Sequence, residues 1–190
     1  MKIRLANPLQ SDSIVDGDGI RTVVWTQGCS HNCKGCHNPE THDHSKGFEM
    51  DVEDLKKQIL SVPNQDGVTL SGGDPFFQIE ASGEIAKFCK QNSLNVWAYT
   101  GFTFEKLLEL SETRPALKEF MNNIDVLVDG KFELEKRSLN LKFKGSRNQR
   151  ILDMNESMKL QKPVVIEKYN TEKVFVGYDC LAKEKEFMFI

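Results

Sequence analysis

Residues 22–36 read TVVWTQGCSHNCKGC and hold the features that decide the fold. Residues 22–26 form a short run of apolar, β-branched and aromatic side chains, which is typical of a buried strand. The strand is predicted to end at Gln27-Gly28, and a loop with three cysteines follows at once: Cys29, Cys33 and Cys36. In parallel α/β folds, ligands bind beyond the carboxyl ends of the strands, so we expect a cofactor site at this loop.

The rest of the chain alternates between predicted strands and helices. Further strands are predicted at 67–70, 95–99 and 124–128, and helices at 52–60, 79–91, 104–110 and 117–121. This alternation indicates βαβ units and a parallel sheet, and therefore an α/β fold. A closed eight-unit barrel needs ~250 residues, so we expect a chain of 190 residues to form only an incomplete one.

Length and composition favour one core domain. We predict that residues 1–160 form it, and that residues 161–190 are a C-terminal extension of unknown role packed on the same domain. Within the extension, short strands are predicted at Pro163–Ile166 and Lys173–Val176.

The charge balance excludes some classes of function. The formal net charge is −3, with 28% charged and 39% hydrophobic residues. This gives no broad positive field, so nucleic-acid binding is not expected. Apolar runs are far shorter than the ~20 residues of a membrane helix, and the amino terminus lacks the apolar stretch of a signal peptide. We expect a soluble cytoplasmic protein with no membrane partner.

The spacing of the cysteines favours metal ligation. The chain has five, an odd number, and three of them fall within residues 29–36, whereas secreted disulfide frameworks usually have an even number. Three thiolates fill three irons of a [4Fe–4S] cluster and leave the fourth iron open to another ligand. Cys89 and Cys180 stand alone and are expected to be semi-buried thiols.

The cysteine loop by itself is compatible with two other sites. A nearby histidine would complete a zinc site, and His37, His42 and His44 are all close in the chain. A distant fourth ligand would instead make an electron-transfer cluster. The loop alone does not decide between these three possibilities.

Two other predicted strands end in polar motifs. Residues 71–75 (SGGDP) contain paired glycines, which let the backbone approach a ligand closely. Residues 129–131 (DGK) place a carboxylate two positions from an ammonium group, a pair suited to a zwitterionic ligand. Each motif is also compatible with an ordinary turn.

Taken in order, these motifs resemble the radical S-adenosylmethionine (SAM) superfamily, and within it the activases of glycyl-radical enzymes. Four passages carry the resemblance: residues 16–22 (DGDGIRT), 36–38 (CHN), 71–75 and 128–132 (VDGKF). A later block, residues 145–150 (GSRNQR), resembles the activases of anaerobic ribonucleoside-triphosphate reductases in particular. The resemblance covers roughly residues 1–160.

The resemblance implies an incomplete parallel β/α barrel of the radical SAM type. It implies one [4Fe–4S] cluster per chain on Cys29, Cys33 and Cys36, with SAM chelating the open iron through its amine and carboxylate. The residues implied to contact SAM are Gly35, Cys36, His37, Gly72, Gly73, Asp74, Asp129 and Lys131. No catalytic residue is implied beyond the cluster and SAM.

The implied reaction is that of an oxidoreductase working under anaerobic conditions. Reductive cleavage of SAM would give methionine and a 5′-deoxyadenosyl radical, which would take a hydrogen from the α-carbon of a glycine in the partner. The implied partners are the large subunit of anaerobic ribonucleotide reductase and a low-potential electron donor such as flavodoxin or ferredoxin.

This chain departs from many superfamily members at two positions. Gly35 stands where an aromatic residue is common, and Asp74 stands where glutamate is common. Both substitutions resemble those of the reductase activases. The alternatives are an activase of another glycyl-radical enzyme such as pyruvate formate-lyase, a small-molecule radical SAM enzyme, or a non-catalytic zinc or iron–sulfur module.

A cluster of cations late in the chain suggests a docking surface. Lys142, Lys144, Arg147 and Arg150 lie close together in an otherwise slightly acidic sequence. Because complementary charge steers protein encounter, we expect this segment to help dock the reductase.

Overall fold

The structure, a computed structural model, describes residues 1–171. In chain order the strands are β1 (Lys2–Leu5), β2 (Gln10–Ser13), β3 (Arg21–Thr26), β4 (Phe48–Asp51), β5 (Gly67–Gly72), β6 (Asn95–Tyr99), β7 (Val126–Asp129) and β8 (Arg150–Asp153). The α-helices are α1 (Val52–Ser61), α2 (Ile79–Gln91), α3 (Phe104–Ser111), α4 (Pro115–Asn122), α5 (Met154–Leu160) and α6 (Glu167–Asn170). Cys180 and the strand predicted at Lys173–Val176 lie outside the described residues.

Four parallel strands form the centre of a single sheet, which confirms the α/β class. β3, β5, β6 and β7 pair in that order, and each was predicted from its apolar run. Antiparallel strands extend the sheet on both sides, so the full order is β4-β1-β3-β5-β6-β7-β8, with β2 also paired to β3. Within the described residues the sheet stays open, with β4 at one edge and β8 at the other.

The helices form where periodicity and capping chemistry place them. Asp51 accepts a hydrogen bond from the Glu53 backbone N–H at 2.9 Å and so caps α1, while Leu55 and Ile59 face the core. The bounds of α2 agree with the prediction at both ends. α4 begins with Pro115 at its first turn, where a missing N–H costs nothing. Within residues 1–171, no helix is long and apolar enough to cross a membrane.

The two faces of the sheet have different coverings. Because side chains alternate along a strand, Val24, Leu70 and Ala98 point to the face covered by helices α1–α5, where the larger core lies. Trp97 and Val128 point to the opposite face, where a smaller cluster forms. No long helix of the described chain covers this second face, so it has room for a cavity.

The end of the described chain packs on this second face. Tyr169, on α6, is buried against Trp97. Asn170 fastens the segment to β8, since its side chain donates to the Ile151 backbone oxygen at 3.0 Å. Near the strand predicted at Pro163–Ile166, an isolated bridge joins Val165 to Leu152. The boundary between the core domain and the C-terminal extension at residue 160 remains a prediction.

Candidate active site

The motifs singled out in the sequence converge at one edge of the sheet. The cysteine loop follows β3, the Gly-Gly-Asp loop ends β5, and Asp129 ends β7. Backbone hydrogen bonds join the first two loops: the Gly73 N–H donates to Thr26 at 2.7 Å, and the Asp74 N–H donates to Gly28 at 3.0 Å. Strand pairing therefore brings together residues that lie far apart in the chain.

The cysteine loop is anchored at its start by the segment that follows it. The Gly28 N–H donates to the Thr41 carbonyl at 2.8 Å, and the Cys29 N–H donates to the His42 carbonyl at 3.1 Å. Further along, the Cys36 N–H donates to the Cys33 carbonyl at 3.2 Å. The three thiols are half-buried and line the same cavity.

The thiols of Cys29 and Cys36 are protonated in the absence of a bound metal. Burial raises the pKa of Cys29 to about 11, and it also raises the pKa of Cys36. Loading a metal centre therefore releases protons, because only the thiolate is a ligand.

Three half-buried thiols that line one cavity fit an iron–sulfur cluster. Among residues 1–171, no group of three His, Cys, Asp or Glu side chains converges closely enough to hold one metal ion. The irons of a cubane occupy separate corners, so their three thiolates need not meet at one point. His37 and His42 line the same cavity as the cysteines, whereas the His44 ring lies 2.9 Å from the Ser30 hydroxyl.

A cavity of about 560 Å³ lies directly against the thiols. This is within the usual range for small-molecule sites, ~300–1,000 Å³. Four of the predicted cofactor contacts line it: Cys36, His37, Gly72 and Gly73. Its walls also include aromatic and apolar side chains that the sequence analysis did not select: Ile14, Val15, Trp25, Tyr99, Phe132, Leu141 and Phe143.

Strand alternation was the available signal for two of these missed residues. Trp25 and Tyr99 both lie one position from a core residue on a predicted strand, so they point to the opposite face. Tyr99 also fixes the segment that covers the cavity, because its hydroxyl donates to the Phe143 carbonyl at 2.8 Å. Burial raises the pKa of Tyr99, so the hydroxyl stays neutral.

Gly35 lies beside the cavity without lining it. Its φ of +73° is a conformation that favours glycine. A β-carbon placed here would lie 3.0 Å from the Leu134 side chain. Leu134 therefore takes up part of the space beside this position. Two positions after Gly35, the ring of His37 packs on Phe132 with ring centroids 5.2 Å apart.

The carboxylate of Asp74 is buried in a network of protein donors. It is 1% exposed, and its Oδ2 accepts from His31 Nε2 at 2.8 Å, from the Thr100 hydroxyl at 2.8 Å and from the Gly101 N–H at 2.9 Å. Its Oδ1 accepts from the Phe76 N–H at 2.9 Å. The side chain thus joins three loops at this edge of the sheet.

Asp129 is buried in a similar way, but Lys131 is not. The Asp129 carboxylate accepts from the Phe104 N–H at 2.8 Å and from Arg150 Nε at 2.9 Å. Arg150 also makes two hydrogen bonds to Glu105, at 2.8 and 2.9 Å. These contacts raise the pKa of Arg150 and lower the pKa of Glu105 to about 2. Lys131 is exposed and lies in a neighbouring cleft with Asp129.

The predicted basic patch is not a set of outward-facing cations. Arg150 is held by the two carboxylates described above. Lys144 Nζ donates to the Gln149 carbonyl at 2.9 Å and to Asn170 at 2.8 Å, and so fastens the segment beside the cavity to α6. Lys142 lines the cavity itself. Contacts within the fold thus occupy the charged groups of Lys144 and Arg150, whereas Arg147 is exposed. That this segment helps to dock the reductase stays a prediction.

Cys89 lies apart from the site. It is fully buried on α2 in the larger core, and burial raises its pKa to about 12. A thiol in such surroundings is unreactive.

An α/β sheet that presents three clustered thiols to a cofactor-sized cavity defines a cluster-binding class of protein. Residues 15–152 match the family described as "4Fe-4S single cluster domain". An anaerobic ribonucleoside-triphosphate reductase-activating protein of Vibrio cholerae is 35% identical over 144 residues, which cover 72% of this chain and 89% of the relative. The protein of that name from Escherichia coli K12 is 32% identical over 148 residues, covering 72% and 90%.

A similarity over a shorter stretch joins the chain to another activating enzyme. The pyruvate formate-lyase-activating enzyme of Clostridium pasteurianum is 42% identical over 92 residues, but these cover only 46% of this chain and 39% of the relative. By contrast, the reductase-activating proteins of Vibrio cholerae and Escherichia coli, both above 30% identity, are matched over most of their length. The chain belongs to the single-cluster 4Fe-4S family, and within it to the anaerobic ribonucleoside-triphosphate reductase-activating proteins.

Proposed function

We propose that this chain activates an anaerobic ribonucleoside-triphosphate reductase by generating a glycyl radical in its large subunit. The observation that carries the proposal is a shared cavity, because Cys29, Cys33 and Cys36 line the same 560 Å³ space as Gly72 and Gly73. A cofactor in that space would touch both the cluster and the exposed backbone of the glycine loop. The family match supports the same activity.

Cys29, Cys33 and Cys36 would hold the cluster, and three protein thiolates would leave one of its four irons without a protein ligand. Reductive cleavage of SAM at the bound cluster supplies the radical chemistry that takes hydrogen from the partner's glycine. Gly72 helps to bring the SAM-binding backbone close, since its φ of +96° is a glycine conformation. Trp25 and Tyr99 form apolar walls that exclude water from the reacting atoms.

The residues predicted to contact SAM fall into three groups. Cys36, His37, Gly72 and Gly73 line the cavity, which supports direct contact with SAM. Gly35, Asp74 and Asp129 lie behind or beside it, where we assign them to holding the loops. Lys131 is exposed near Asp129 and is proposed to reach the carboxylate of SAM through its flexible side chain.

The open sheet supports an incomplete barrel of the radical SAM type. A glycine carried by a protein must enter from the side, which an open sheet permits. The remaining parts of the proposal are a low-potential electron donor such as flavodoxin or ferredoxin, and a cytoplasmic location.

The test is an anaerobic reconstitution of the full chain with iron and sulfide. We expect about four irons and four sulfides per chain. Incubation with SAM, a reductant and the reductase should give a glycyl-radical doublet in the EPR spectrum. Cys36→Ala should abolish both results, whereas Cys89→Ala, which changes a buried thiol outside the site, should preserve them.

The candidate partners separate the alternatives. A doublet formed in pyruvate formate-lyase but not in the reductase would assign the chain to that enzyme instead. One stoichiometric zinc without iron would overturn the proposal in favour of a non-catalytic module.

A further inference from the structure

The strongest unassigned feature is a hydrogen-bonded pair behind the cysteine loop. His31 lies within the C-x3-C segment, between Cys29 and Cys33, and its Nε2 is 2.8 Å from the Asp74 carboxylate. The two residues are 43 positions apart in the chain. An ionised carboxylate has only acceptors, so Nε2 carries the proton and donates it.

His31 is far more buried than its neighbours in the loop. Its side chain is 8% exposed, whereas Ser30 and Asn32 on either side are exposed. The ring lies between two phenylalanines, with centroid distances of 5.4 Å to Phe77 and 4.5 Å to Phe102. The side chain therefore inserts into the protein and tethers the backbone between two cluster ligands.

Asp74 connects this tether to the sheet. Its Oδ2 also accepts from Thr100 and Gly101, which follow β6. Its own backbone N–H donates to the Gly28 carbonyl, immediately before Cys29. Movement of the carboxylate would thus be resisted by β6 and by the start of the cysteine loop at once.

We propose that Asp74 and His31 are a positioning pair that fixes the loop between Cys29 and Cys33 in its cluster-binding conformation. Asp74 acts on the cluster through His31. With three donors on Oδ2 and 1% exposure, its carboxylate has little capacity left for SAM. The proposal deepens the proposed function, because it rests on the cluster being held at these cysteines.

The pair resembles the contacts that orient the ligands of other metal sites. Such contacts fix ligand geometry without touching the metal, and their loss typically weakens metal affinity or activity by ~10–100-fold. His31→Leu removes the donor and keeps an apolar side chain between the two rings. His31→Gln keeps an N–H at nearly the same position, so it is the conservative rescue.

The experiment follows iron loss from the reconstituted holoprotein in the presence of a chelator under anaerobic conditions. We expect His31→Leu to lose its cluster ~10–100 times faster than wild type. His31→Gln should stay close to the wild-type rate. The EPR spectrum of the reduced cluster, recorded with and without SAM, should change in His31→Leu and be restored in His31→Gln.

A matched control and a double variant separate positioning from general loosening. Ser30→Ala removes an exposed hydroxyl of the same loop, whose partner is the His44 ring, and should leave the rate unchanged. Asp74→Asn retains the size of the side chain. The double variant with His31→Leu and Asp74→Asn should lose iron no faster than the faster of the two single variants, because both substitutions remove the same hydrogen bond.

Three outcomes would overturn the proposal. They are a wild-type rate of iron loss in His31→Leu, an equally fast loss in His31→Gln, and additive effects in the double variant. If Ser30→Ala were as labile as His31→Leu, the effect would be general loosening of the loop and the pair would have no special role. None of these measurements uses the reductase, so a missing glycyl radical would count against the proposed function and not against the pair.

Discussion

Replacement of Gly73 by alanine tests whether the site depends on close approach of two loops. A β-carbon at residue 73 would lie 2.5 Å from the Gly28 carbonyl oxygen, so the two backbones must separate by roughly 0.5–0.9 Å to restore normal contact. Overpacking of this kind costs ~1–3 kcal/mol. For a protein of this size that lowers the melting temperature by roughly 2–12 °C.

The same displacement should impair the chemistry more than the fold. Gly28 directly precedes Cys29, and a misplacement near 1 Å can cost ~10²-fold in rate. We therefore expect Gly73→Ala to lower SAM cleavage by the isolated protein by ~10–100-fold. Anaerobic thermal denaturation and chromatography of 5′-deoxyadenosine measure the two effects separately.

Gly67→Ala is the matched control, at the opposite end of β5, the strand that Gly73 follows. Its β-carbon would lie 2.1 Å from the Asn95 carbonyl oxygen, so it also forces two backbones apart, but far from the cysteines. It should lower the melting temperature and leave the specific SAM-cleavage rate of the folded protein unchanged. Equal losses of cleavage in both variants, or an unchanged rate in Gly73→Ala, would refute the reasoning.

Three further predictions follow from the site and its supports. Alanine at any of the loop cysteines should abolish the visible absorbance of the cluster, whereas Cys89→Ala and Cys180→Ala should retain it; a loop variant with full iron content would contradict the assignment. The pKa of Glu105 falls from 4.5 in the unfolded chain to about 2 in the fold, so its ion pair stabilises the protein above about pH 5 and is lost as the pH falls toward 2. Melting temperatures measured across that range should fall less steeply in Glu105→Gln, and identical slopes would exclude the effect. Arg150→Gln removes a hydrogen-bond donor from the Asp129 carboxylate, which is 1% exposed. The free energy of unfolding measured in urea titrations should fall by ~1–3 kcal/mol, and a change below ~0.5 kcal/mol would show that water replaces the guanidinium.

Local sequence signals were sufficient for the elements that build the centre of the sheet. β6 and α2 were predicted with their observed bounds. The antiparallel strands β1, β2, β4 and β8 were not predicted. They are only four residues long. β1, β2 and β4 carry exposed residues and β8 has only two buried positions, so none has the continuous apolar run that identifies a buried strand.

The sequence by itself determined that three cysteines share one loop after a strand, since both features are local. The contacts that organise the site were decided only by the tertiary structure. His31 meets Asp74 across 43 positions, and Arg150 meets Asp129 across 21. In the sequence each of these residues is compatible with a solvated turn. Strand pairing places their loops side by side, and burial then requires each charged group to find a partner, because an unpaired charge in the interior is costly.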